Sequence, residues 1–344
     1  VEGEAWAIVL WDIREEGAAV SFLSGEIARV LSSSAGTALV TDAALAHYEK
    51  RVIDGLNQLS EKGDLRIHDP GGGALRGPIQ SRKWLEDGLR TKDFVLRCQE
   101  VYLTRGTDNQ PTEVPYFRAV FNSNGHVLRM REGETASHVR LVGYEAPLMR
   151  KKTAKDNPGI SGRCISCDLV GLETNRGELY CIEGKTDPNK EATHLDYALL
   201  EAYAYGLCLH YHASDPKRLD ELKKEIALCF QHFYGTLYPI PSTMTVHYVL
   251  ALPRSYFTAM SAEFAEKRAE EASRIEPLLR SRPGPVFGGY VLLGVDCRPE
   301  SFDPSKYPAK QVKGKRYIVP VFRNPVGEAV RCRDIRTAMA GTHS

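Results

Sequence analysis

A chain of 344 residues, 42% hydrophobic and 26% charged, has apolar material for a sizeable core, in two domains or one large one. The net charge of +1 excludes a molecule drawn onto nucleic acid by its overall field, so an anionic partner must be met by a local patch. No apolar run approaches the ~18 residues of a membrane span, and eight cysteines without a secretory signal point to reduced thiols in the cytoplasm.

Residues 1–130 read as an α+β region suited to recognition or partner binding. In "TDAALAHYEKRVIDGLNQLSEKGD" the apolar positions 44, 45, 48, 52, 53, 56 and 59 make a helical stripe, with Thr41 and Asp42 as caps. The loop "HDPGGGALRGP" (68–78) is no phosphate cradle, because Gly77 is followed by Pro78 and not by Lys-Ser/Thr. With the short run "LRI", helix and loop would suit a winged-helix-like module. Strand-like runs follow at 94–103 and 114–121, then a basic, Pro/Gly-punctuated segment at 151–163. Two apolar runs flank the turn "ETNRGE" (173–178), and helices are expected at 189–211, 216–234 and 260–281. Strands are expected at 243–252, 286–296 and 317–322, and residues 326–344 read as a frayed tail. Strands mixed with helices in this way predict an α/β or α+β sheet covered by helices.

The pair of runs around that turn carries the chemistry. As a hairpin it places Leu179, Cys181, Glu183 and Lys185 on one face, with Asp168 on the partner strand close to Glu183. Two converging carboxylates repel unless a cation lies between them. Mg²⁺ takes one or two protein carboxylates and keeps water and phosphate oxygens as its other ligands. Lys185 would face the same place and help activate a water. Of three (D/E)-x-K matches, 183–185, 215–217 and 221–223, only the first ends an apolar strand with an acid in the strand before it. The bland alternative is a surface hairpin with a cross-strand ion pair.

Asp168 followed by Glu183-Gly184-Lys185 resembles the PD-(D/E)xK nuclease superfamily, whose signature is an acid on one strand and (D/E)-x-K on the next. Nucleases resembling the RecB type follow that strand with a helix bearing Gln-x-x-x-Tyr. Here Glu201 and Tyr205 stand at the corresponding place, with Glu replacing Gln, on a stripe with His194 and Tyr197. The resemblance covers about residues 134–255. It implies a restriction-endonuclease-like core sheet flanked by helices, within a nuclease-like domain at 131–325. It implies Mg²⁺, with Mn²⁺ as the substitute, bound by Asp168, Glu183 and the Gly184 carbonyl. An upstream acid is also implied: Glu134 and Glu145 are candidates and Glu145 is preferred, although Pro147 argues against a helix through it. Lys151, Lys152, Lys155 and Arg163 form a basic patch for phosphates, and Lys310 with "KGKRY" (313–317) a second one; solvated loop lysines are the plain alternative.

The expected activity is therefore Mg²⁺-dependent hydrolysis of DNA phosphodiester bonds, endonucleolytic and suited to restriction, repair or phage defence. A protein partner or a homo-oligomer would fit such a role. Open alternatives are an inactive nuclease-fold scaffold, an RNA-directed nuclease, and a metal-free enzyme or zinc module on the cysteines, with Cys164, Cys167, Cys181 and Cys208 as the zinc set. Against the last, no second C-x-x-C exists, and buried core thiols are the simpler reading.

Overall fold

A computed structural model of the protein describes residues 25–31, 40–61, 117, 120–121, 126–149, 165–186, 194–254, 256–294, 296–301, 318–323 and 328–341. The glycine loop at 68–78, the run at 94–103, the basic segment 151–163 and the patch at 310–317 lie outside these residues. Helix α1 covers 25–31 and α2 covers Asp42–Glu61, where Thr41 Oγ1 accepts from Ala44 N at 3.2 Å as a cap.

Strands β1 (Val127–Glu132), β2 (Thr135–Met149), β3 (Ile165–Glu173) and β4 (Glu178–Gly184) form an antiparallel meander. Helices α3 (Leu195–Ala213) and α4 (Pro216–Tyr234) carry the chain to β5 (Thr245–Pro253), which runs parallel to β4. Helix α5 (Ala262–Ser281) leads to β6 (Val286–Leu293), parallel to β5. Strands β7 (Asp296–Ser301) and β8 (Ile318–Arg323) make a separate ribbon. Then β9 (Glu328–Cys332) enters between β6 and β1, antiparallel to one and parallel to the other, and closes a seven-stranded barrel. Helix α6 (Ile335–Gly341) ends the described chain.

The alternation of side chains along each strand divides two cores. Leu128, Met130, Leu141, Leu169, Tyr180, Ile182, Val249 and Val291 fill the barrel together with Phe117, Val120 and Phe121. Val170, Leu172, Leu179, Cys181, Tyr248, Leu250 and Leu292 face outward and are covered by the helices. Helix α3 lies at the centre of that outer core and is buried over most of its circumference, as a helix with few polar positions must be.

The architecture is thus mixed α/β, with the sheet closed on itself and helices on its outer face. Four sequence expectations change. Residues 117, 120 and 121, expected in a strand, are helical, and their apolar side chains plug the barrel. Strands β1 and β2 were not anticipated. Pro147 is tolerated in β2 because β1 pairs only with Thr135–Arg140, so among the described residues the later part of β2 has one neighbour, and register shifts mark it. The tail read as frayed supplies β9 and α6, whose Cys332, Ile335 and Ala338 enter the outer core. A boundary at 130/131 falls within β1. Among the described residues no helix is long and apolar enough to cross a membrane.

At Gly206 a Cβ would stand 3.0 Å from Tyr248 Cβ, so α3 approaches β5 at the limit that glycine allows. Gly206→Val should lower unfolding stability by about 1–3 kcal/mol through overpacking. A fall in the urea midpoint with an unchanged slope checks it.

Candidate functional site

The β3–β4 hairpin turns through Thr174–Gly177, where Gly177 takes φ +67° and its N–H donates to Glu173 O at 3.0 Å. Pairing runs from Glu173↔Glu178 through Leu169↔Ile182. One step further sets Asp168 across from Glu183, and there the ladder gives way to a side-chain contact: Gly184 N donates to Asp168 Oδ2 at 2.8 Å. Leu179 and Cys181 face the helices while Tyr180 and Ile182 face the barrel, so Glu183 emerges on the helix side.

Lys185 continues the strand by one bond, its N–H donating to Ala251 O of β5 at 3.0 Å. Its Nζ lies 2.7 Å from Glu183 Oε1 and 3.1 Å from Glu201 Oε2, the latter brought by α3. Tyr205, one turn beyond Glu201, donates its hydroxyl to Glu201 Oε1 at 3.0 Å. Burial, and the charges of Glu201 and Glu183, push the Tyr205 phenol well above its ordinary range, so it stays protonated and donates. Glu in place of Gln has a physical reason. Both neighbours are donors, and a carboxylate offers each an acceptor oxygen, whereas an amide would turn N–H groups toward one of them.

Asp168 is 9% exposed, Glu183 4% and Lys185 5%, so their charges interact in a poorly solvated space. Glu183 and Glu201 share the Lys185 ammonium, and Asp168 stands at the same hairpin end on the Gly184 N–H. Carboxylate oxygens of this hard kind are the donors that a divalent cation of the Mg²⁺ type takes.

Glu145 lies in a strand, not a helix. It falls between Tyr144↔Leu169 and Ala146↔Cys167, the register position opposite Asp168. Glu134 is in the exposed β1–β2 turn, away from this hairpin end. Lys151, Lys152, Lys155 and Arg163 precede β3 in sequence, outside the described residues. The other two (D/E)-x-K matches have structural roles: Asp215 caps α4 by accepting from Arg218 N at 3.0 Å, and Glu221-Leu222-Lys223 lies on that helix, with Lys223 Nζ donating to Ser242 O.

Cys167, Cys181, Cys208, Cys229 and Cys332 are buried free thiols, and Cys164 lies outside the described residues. Cys167 and Cys181 bring their sulfurs to 3.2 Å. Burial pushes Cys208 up to about 12 and holds Cys181 well above the ordinary thiol value, as for thiols packed in a core.

Phe117 is a site neighbour that the sequence does not reveal. Its ring lies against Gly184, where any Cβ would collide with it. The glycine of Glu-Gly-Lys is therefore a packing requirement at the strand end. Gly184→Ala should cost about 1–3 kcal/mol by overpacking. Adding Phe117→Leu should recover part of that loss, giving a coupling of at least ~0.5 kcal/mol in a double-mutant cycle read by urea unfolding.

Compared with protein-family models, curated proteins and solved structures, the chain matches none. What this site does must be read from the chemistry of its own residues.

Proposed function

We propose that the protein is a Mg²⁺-dependent nuclease hydrolysing DNA phosphodiester bonds, with a restriction-endonuclease-like core built from β2, β3, β4, α3 and β5. The observation that carries this reading is the meeting of Asp168 from one strand with Glu183 and Lys185 from the next, under a helix whose Glu201 holds the same lysine. An acid, a Glu-x-K strand and a following helix with a tyrosine are the parts the resemblance implies; in this chain Glu201 stands in place of the Gln of that pattern, and Tyr205 and Lys185 both bond to it.

Asp168 and Glu183 are the residues to hold the ion, in register across the end of the hairpin. Mg²⁺ there would supply Lewis acidity toward the phosphate and lower the pKa of the attacking water. Lys185 adds a fixed positive charge, oriented from two sides by Glu183 and Glu201, toward the negative charge that grows on the phosphate oxygens. Gly184 N–H keeps Asp168 in its rotamer, and Tyr205 keeps Glu201 in place. Water attacks phosphorus, the bond to the leaving sugar oxygen breaks, and that oxygen takes up a proton. Glu145, in register with Asp168, is the candidate further acid. The basic residues Lys151, Lys152, Lys155 and Arg163 are assigned to the DNA backbone.

Supercoiled plasmid and linear duplex incubated with Mg²⁺, Mn²⁺ or EDTA test this. Cleavage should require the metal and nick plasmid, and should fall on the order of 10²–10³-fold in Lys185→Ala, as for loss of one charge-stabilising donor. Asp168→Asn should fall as far. Cleavage unchanged in Lys185→Ala would remove these residues from the reaction. Activity on RNA alone would move the substrate class, and none on either would favour a nuclease-fold binding protein.

A further inference from the structure

Away from the Asp168–Glu183 pair, three metal-ligating side chains from two helices converge at the start of α3. His194 stands at its N-cap, Asp196 lies in its first turn and Glu271 comes from α5. One ligand atom of each lies within 4.8 Å of the others, and His194 Nδ1 is 3.2 Å from Glu271 Oε1. Ligand atoms around one tetrahedral zinc stand roughly 3.3–3.6 Å apart, so closing the three side chains on one ion asks for movements on the order of 1 Å. We propose that His194, Asp196 and Glu271 form a binding site for a first-row divalent transition metal, with zinc as the ion to test.

The donor set separates this place from the all-oxygen pair on the hairpin. An imidazole nitrogen with two carboxylates suits zinc and its neighbours, while Mg²⁺ prefers oxygen alone. Two of the ligands are already oriented. Arg268 Nη1 lies 3.2 and 2.9 Å from the two oxygens of buried Glu271, the outer-shell support typical of a metal-bound carboxylate. Asp196 Oδ1 accepts from Tyr197 N at 2.7 Å. Burial and the nearby Glu271 charge push the Asp196 carboxyl above its usual range, a repulsion that a cation would relieve. The positive charge of Arg268 works against a cation at Glu271, which His194 and Asp196 must outweigh. His194 is 35% exposed, which leaves an entry path. The ion would tie the start of α3 to α5 and so steady the helix that carries Glu201 and Tyr205. This site stands whether or not the protein is a nuclease.

The test is calorimetric titration of the chelator-dialysed full chain with zinc chloride, beside His194→Ala, Asp196→Asn and Glu183→Gln. Wild type and Glu183→Gln should bind a zinc ion that the other two variants bind about tenfold more weakly or worse. Cobalt should give visible d–d absorption in wild type that His194→Ala removes. Far-UV circular dichroism and the urea midpoint check that the variants remain folded. No zinc bound by wild type, or zinc binding untouched in His194→Ala and Asp196→Asn, overturns the proposal. Loss of the same ion in Glu183→Gln would relocate it to the hairpin and overturns it equally.

Discussion

Lys185 carries its ammonium into a space that solvent barely reaches, between the carboxylates of Glu183 and Glu201. A cation so placed costs several kcal/mol unless well-aimed partners compensate it. Glu183 comes from the same strand, but Glu201 must be delivered by α3, so the lysine constrains where that helix can lie. Two further features meet the same demand. Tyr205 uses the second oxygen of Glu201, and Gly206, next in sequence, lets the helix approach Tyr248 on β5. Polar pairing and apolar packing therefore favour one position of α3 over the end of β4.

The barrel explains why the charged groups gather on the outside. Its interior takes apolar side chains from all seven strands and is stoppered by Phe117, Val120 and Phe121, a lining in which an unpaired charge would be costly. On the outer face the strand ends meet the helices, and Asp168, Glu183 and Lys185 appear where β3 and β4 leave their ladder. Phe117 joins the two regions, since its ring, part of the interior plug, sets the space at Gly184 between the two site residues of the strand.

Much of the local structure was legible. The stripe of α2 with its Thr41 cap and the spans of α4 and α5 follow from periodicity and from the need to satisfy first-turn N–H groups; the Asp215 and Ser261 caps, the latter accepting from Phe264 N at 3.3 Å, come from the structure. The hairpin was legible as two apolar runs around a turn with a glycine at positive φ. Less legible were β1 and β2, with arginines and a proline among their apolar residues, and β9, five residues that are a strand only because β1 and β6 flank them. The segment at 114–121 has strand-like composition, yet its described residues are helical because they fill a barrel interior that local sequence cannot announce.

The sequence by itself determined the kinds of groups and their faces. Alternation along β4 puts Glu183 with Leu179 and Cys181, and helical spacing puts Tyr205 one turn after Glu201. Those are properties of periods of two and 3.6 residues, independent of what lies nearby. Only the tertiary structure decided that Glu201 reaches Lys185, that Glu145 falls in register with Asp168, that Phe117 presses on Gly184, and that His194 and Asp196 meet Glu271. Each of these joins segments distant in the chain, and their distances depend on closing the barrel and docking α3, which no local pattern encodes.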